Sequence, residues 1–244
     1  MRTTYLRFEL LRTLRNRRFF VFSLVFPLIL YFVIAGPQKN DHDFAGTGIP
    51  APLYFMVGLV SFGAMAAMLS SGARIAGERE VGWNRQLRIT PLRPREYLRA
   101  KVVTAYMMAG ISIVLMYVAG ASLGVRIEAG RWVDMTLLIL VGLVPFAAFG
   151  IFIGHRLTVD SIGPVMGGGI SLLALLGGTW GPIATSGFFY DLCRALPSYW
   201  LVQASHVALG GRAWGGLGWG VMAAWSVICA AMALRAFRRD TERA

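Results

Sequence analysis

The feature that most constrains this chain is a series of long apolar runs separated by blocks of arginine. A helix rises 1.5 Å per residue and needs about 20 mostly apolar residues to cross a ~30 Å hydrocarbon core. Six stretches meet or approach that length: 19–35, 52–72, 102–125, 135–154, 161–178 and 217–234. None carries Asp, Glu, Lys or Arg in its interior. The composition agrees: 56% of residues are hydrophobic and 15% charged, against about 45–50% and 25% in soluble domains. That balance argues against a soluble enzyme, and disorder would need low hydrophobicity.

The net charge is +12, which on its own could signal nucleic acid. Its placement argues otherwise. Of 24 Lys and Arg, nineteen fall in one alternating set of connections and five in the other. Basic connections stay on the cytoplasmic side. The expected fold is an all-α plasma-membrane protein with six transmembrane helices and both termini cytoplasmic. Asn16-Arg17-Arg18-Phe19-Phe20 resembles a twin-arginine export signal. The run that follows fits the charge alternation of the whole chain, so it reads as a membrane anchor.

Residues 1–18 form a basic segment in which Leu6, Leu10 and Leu14 share one helical edge, with Arg12 and Arg15 across from it. This predicts an amphipathic interfacial helix. The six-span body then covers 19–237, with a basic tail at 238–244. Residues 73–101 hold eight of the 24 basic side chains and exceed the ~2–8 residues of a simple helix connection. Trp83, Leu87 and Ile89 suit the apolar side of a short helix, which Pro91 should end. Pro94 and Glu96 suit the first turn of the third span. From the pattern alone the segment fits a docking element or a solvated determinant of topology.

The outer segment 179–216 is long and aromatic, and Pro197 opens a stretch too short to span. This predicts a re-entrant or interfacial helical segment between spans five and six, with Tyr199 and Trp200 in an aromatic belt. Gly163 and Gly167 form a GxxxG pattern on the fifth span, a motif for close helix approach.

Uncharged spans offer no ion or proton relay. A P-loop needs Gly-Lys-Ser/Thr, yet the lysines, Lys39 and Lys101, follow Gln38 and Ala100. Energy must therefore come from another chain. His42, His155, His206, Cys193 and Cys229 show no metal-ligand spacing, and no metal or cofactor is expected on this chain. Gly120-Ala121-Ser122-Leu123-Gly124 reads as G-x-S-x-G. With His206 it permits an alternative, a six-span intramembrane serine protease. A third reading is a structural membrane protein whose basic surfaces bind anionic lipid.

With these elements in place, the chain resembles the permease subunits of ABC-2 type transporters. The residues that carry the resemblance are GERE-x-G…L-x-x-TPL…EYLRAK after the second span and Leu196-Pro197-Ser198-Tyr199-Trp200 in the outer segment. The resemblance implies a permease subunit without an ATPase site, working as a homo- or heterodimer with two ABC ATPase chains that bind ATP and Mg. It implies ATPase contacts at Glu78, Glu80, Trp83, Asn84, Arg85, Leu87 and Arg88, and at the N-terminal helix. It implies a substrate path bounded by the first, second and fifth spans. Phe26, Tyr31, Phe55, Met56, Phe62 and Met166 are the candidate lining residues. The uncharged spans suit a hydrophobic or amphipathic substrate such as a drug or antibiotic, and polysaccharide or glycolipid is an alternative cargo. Lipid is an expected partner and nucleic acid is not.

Overall fold

The computed structural model describes residues 2–16, 21–83, 86, 89–90, 92–181 and 186–242. Among these, every regular element is a helix. Helix α1 is Arg2–Leu14. A single π turn, Val21–Val25, leads into α2, Phe26–Ala35. Pro27 lacks the N–H that a continuing α-helix requires, and the wider turn before it accommodates that loss. Helix α3 is Ala51–Glu80 and α4 is Pro94–Ser122. Helices α5, Ala129–Gly142, and α6, Val144–Arg156, form one apolar span bent ahead of Pro145. Helix α7 is Val159–Gly177. The short helices α8, Phe188–Arg194, and α9, Pro197–His206, precede α10, Gly216–Glu242.

Five spans are long and apolar enough to cross a membrane: α3, α4, the α5–α6 pair, α7 and α10. The described apolar part of the first expected span is shorter, Ser23–Ala35. Its expected start, Phe19 and Phe20, lies outside the described residues.

Helix α3 is the central element. It packs most extensively on α4 and α6 and also touches α2, α7 and α9. It is buried nearly all round, from Met56 through Leu69 to Ile75. That burial matches a sequence without a polar face and rich in small residues. The closest approach is a glycine crossing. A Cβ at Gly72 would collide with the backbone of Gly150, and one at Gly154 with the carbonyl of Gly72. Gly150 and Gly154 are themselves a GxxxG pair on α6. The pair flagged in the sequence, Gly163 and Gly167 on α7, meets open space instead.

Three boundaries differ from expectation. The second span does not end at Gly72: α3 continues unbroken to Glu80 and is released by Gly82 in the left-handed conformation, φ +70°. The last helix runs beyond 237, so the expected tail is helical as far as Glu242. Helix α9 is too short to span, as expected, but its aromatics are not a belt. Tyr199, Trp200, Leu201 and Val202 are buried within the protein. The Trp200 indole donates to the Arg194 carbonyl at 2.8 Å, and the Trp214 indole donates to the Trp200 carbonyl at 2.8 Å. On α3, Ser61 Oγ donates to the Leu201 carbonyl at 3.1 Å and lies 3.0 Å from Ser205 Oγ, fixing α9 against the central helix. The exposed aromatics of the described part of this segment are Trp180, Phe188 and Phe189.

Adding a side chain at the glycine crossing should cost roughly 1–3 kcal/mol or more, because backbone must move. Gly154→Leu is therefore expected to lower the melting midpoint of the purified protein by several degrees. Gly163→Ala should leave it unchanged when both are followed by thermal scanning.

Candidate functional site

Sequence places eight basic residues in 73–101, from the end of α3 to the first turns of α4, and the fold gathers several of them with the acids of α1 and α3. Lys101, at the start of the apolar run of α4, is buried. Its ammonium donates to Glu9 Oε1 of α1 at 2.6 Å and to Glu78 Oε1 of α3. Arg12 also pairs with Glu78, and lies 3.7 Å from Glu9. Tyr97 Oη donates to Glu78 Oε2 at 3.1 Å. Arg74 donates to Thr13 Oγ1, and the Arg12 guanidinium sits 5.7 Å over the Trp83 ring. One ammonium thus joins three helices. Burial by itself would raise the Glu9 carboxyl. The Lys101 ammonium, reinforced by Arg12 and Arg74, outweighs it and holds the group below its ordinary value.

A second network ties the last turn of α10 to the same end. Arg79 Nε pairs with Asp240 Oδ1 at 2.9 Å, and His155 Nδ1 lies 2.9 Å from Asp240 Oδ2. Arg79 also donates to the Leu157 carbonyl at 3.3 Å. The N-terminal helix, the ends of α3 and α6, the start of α4 and the end of α10 therefore meet at one charged end of the molecule.

From this end a cleft of about 1860 Å³ runs into the helix body. It is walled by α1, the region of α2, one face of α3 and one face of α7. On α3 the lining positions are Phe62, Ala66, Ser70, Ala73 and Gly77, a helical stripe. On α7 they run from Val159 through Met166 to Ile170. Beyond Phe62 the aromatics close up: its ring lies 6.5 Å from that of Phe26 and 5.5 Å from that of Trp180.

The candidate residues divide. Phe26, Phe62 and Met166 line the cleft. Tyr31, Phe55 and Met56 do not. Tyr31 is fully buried and donates to the Pro52 carbonyl at 3.0 Å. Phe55 packs edge-on against Phe44 and Tyr54, and Met56 fills the space beside Gly120. Glu78 is buried in the ionic cluster, whereas Glu80 is exposed and Trp83 half-buried. Asn84, Arg85, Leu87 and Arg88 lie outside the described residues.

On α1 the leucine edge is not what faces the protein most closely. Glu9 and Thr13 are buried, Leu6 and Leu10 half-buried, and Leu14 exposed along with Phe8 and Leu11. Arg12 turns inward to Glu78 rather than away to solvent. Sequence periodicity missed this because Glu9 is a lone acid in a basic helix, and its buried partner Lys101 lies 92 positions away. Ser122 Oγ donates to the Ala119 carbonyl at 2.7 Å, and His206 Nδ1 lies 3.4 Å from Gln203 Oε1. These local bonds do not assemble the serine–histidine pair that a protease requires.

Comparison with known proteins now decides the family. The family model of the ABC-2 type transporter matches residues 3–209. The chain belongs to the ABC-2 type transporter family. It is also similar to the "Putative transport permease YvfS" of Bacillus subtilis (strain 168), with 28% identity over 198 residues, covering 78% of each chain. This ABC-2 protein is therefore a multi-pass membrane transport permease. The matched region holds α1 through α9, and so includes the ionic cluster and the whole cleft.

Removing one partner of a buried ion pair strands the others, at a cost of about 3–5 kcal/mol. Lys101→Met should accordingly destabilise the permease strongly in thermal or denaturant unfolding. A second expectation follows from Glu9. Its carboxyl is held low in the fold, so it adds stability above the ordinary carboxylate value of about 4.3 and loses that contribution as pH falls through the lowered one. The difference in melting midpoint between wild type and Glu9→Gln should be largest near neutrality and should shrink on acidification.

Proposed function

We propose that this permease is the membrane half of an ATP-driven exporter, worked from the cytoplasm by a separate ABC ATPase through the segment between α3 and α4. The observation that carries this reading is the cleft. It starts at the charged end, runs between α2, α3 and α7, and meets a cluster of Phe26, Phe62 and Trp180. A site reached from the charged end is what one state of an alternating-access device requires.

The family supplies the motor by association: ABC-2 permeases pair with an ABC ATPase. In this reading the charged end is cytoplasmic, in line with the positive-inside rule. The ionic ties place α1 and the end of α10 at the same end of the molecule. An even number of crossings is then needed. The five long spans supply an odd number, so α2 with the residues before it counts as a sixth.

Two copies of the permease would enclose the cleft between them, with two ATPase chains below. The glycine face of α7, which borders the cleft at Gly163 and Gly167 and meets open space among the described residues, is suited to that contact. Glu80 at the end of α3 and Trp83 just beyond it would be the described residues that receive the ATPase. Glu78 would act behind them, as a strut joining that end to α1 and α4. A substrate moving through the uncharged, aromatic inner part of the cleft would be hydrophobic or amphipathic.

The test is co-purification and coupled activity. Tagged permease should carry an ABC ATPase with it and stimulate ATP hydrolysis in lipid. Glu80→Lys, an exposed change outside the ionic cluster, should reduce transport about tenfold or more with insertion and melting unchanged, as expected for a charge reversed at an interface. A cysteine at Gln86 should be labelled by an impermeant reagent only after the membrane is opened. Labelling on intact cells, or a permease that never binds an ATPase, would overturn the proposal.

A further inference from the structure

The lining of the cleft is chemically two-ended. Along α3 the stripe from Phe62 to Arg74 covers twelve residues, a rise of about 18 Å. Its inner part is apolar: Phe26, Phe62, Ala66, Met166 and Ile170. Its outer part is cationic, with Arg12, Arg15 and Arg74 all on the wall. Glu9 and Glu78 share that wall, but both are occupied. Lys101 lies between them, and Arg12 pairs with Glu78. Four cations face two carboxylates among the described residues, so positive charge is in excess. Arg15, exposed on the rim, has no carboxylate partner among the described residues.

A neutral drug-like molecule would use the apolar part and leave that excess charge unanswered. A cation would be repelled by it. A small anion would use the arginines and leave the hydrophobic length empty. We infer that the cleft accepts an anionic amphiphile, with a phosphate or carboxylate head at Arg15 and Arg74 and an apolar tail reaching towards Phe62. Arginine offers forked donors suited to such heads. Buried hydrocarbon supplies most of the affinity, at ~0.8 kcal/mol per CH2, while the head sets orientation. The inference rests on the cleft being the transport site proposed above, and it narrows the substrate class of that site.

The experiment uses the full-length protein in nanodiscs of zwitterionic lipid, without an ATPase. Three fluorescent dodecyl probes of equal length are titrated, with phosphate, trimethylammonium or hydroxyl heads. The phosphate probe should bind roughly tenfold more tightly than the ammonium probe at low salt, and the gap should narrow as salt rises. Arg15→Gln, outside the ionic cluster, should weaken phosphate binding by about three- to fivefold, the scale of a partly exposed ion pair, and leave the hydroxyl probe unchanged. That unchanged probe also reports that the fold survives. Arg74→Gln, which also loses the bond to Thr13, is read as a fall in the ratio of phosphate to hydroxyl binding. Phe62→Ala should weaken all three, and inorganic phosphate should not compete.

Repeating the titration with phosphatidylglycerol in the nanodisc separates two sources of the same chemistry. Displacement of the phosphate probe identifies a membrane lipid, and its persistence identifies a free amphiphile. Equal binding of phosphate and ammonium probes, or phosphate binding unaffected by both arginine changes, overturns the inference. ATP-driven transport without head-group preference would reject this inference alone. Head-group preference without any ATPase partner would reject the transport reading alone.

Discussion

The buried ammonium of Lys101 is the interaction on which the charged end depends. It lies between two carboxylates from helices far apart in the chain, Glu9 on α1 and Glu78 on α3. Removing a charge from water is expensive, and the cost is met only when partners are close and their remaining lone pairs are used. Arg12, Tyr97 and Arg74 with Thr13 complete that condition. The cluster is therefore an all-or-none joint. The N-terminal helix cannot swing away from α3 and α4 without exposing unpaired charge.

In the proposed mechanism this joint would link the segment after α3 to the cleft. Glu78 is two residues from the exposed Glu80 and on the same helix that walls the cleft. A displacement at the end of α3 would be carried along that helix towards Ala66 and Phe62, and through Glu78 to α1 on the opposite wall. The glycine crossing of α3 on α6 makes that helix part of a packed unit rather than a free lever. The second network, Arg79 with Asp240 and His155, binds α10 and α6 into the same unit. Helix α7 stands apart, with few buried residues and an open glycine face. The rigid unit and the loosely held α7 are the two walls whose separation sets the width of the cleft.

Much of the architecture was legible in the residues. The apolar runs 135–154 and 217–234 lie within the α5–α6 span and α10, and 102–125 lies within α4 except for its last three residues, because hydrocarbon length and backbone satisfaction admit few alternatives. Pro94 and Glu96 open α4 as their chemistry requires. The short α9 after Pro197 was legible by length. Its burial was not, since Tyr and Trp serve equally at an interface or in a core until partners such as the Arg194 carbonyl are known. The extension of α3 past Gly72 was missed because charge was taken as the mark of a loop. A helix leaving the membrane keeps its backbone bonds while its side chains turn polar.

Sequence by itself determined that this is a multi-span helical membrane protein, that its basic side chains are segregated and that its spans carry no relay of charge. These follow from composition and period, which are local properties. Tertiary structure alone decided which glycines bring helices together, that Glu78 is a strut within an ionic joint, and that Phe26, Phe62 and Met166 share a cleft while Tyr31, Phe55 and Met56 do not. Those outcomes depend on pairings across 66, 78 and 92 positions. No local pattern encodes which of several glycines or aromatics will face the same neighbour.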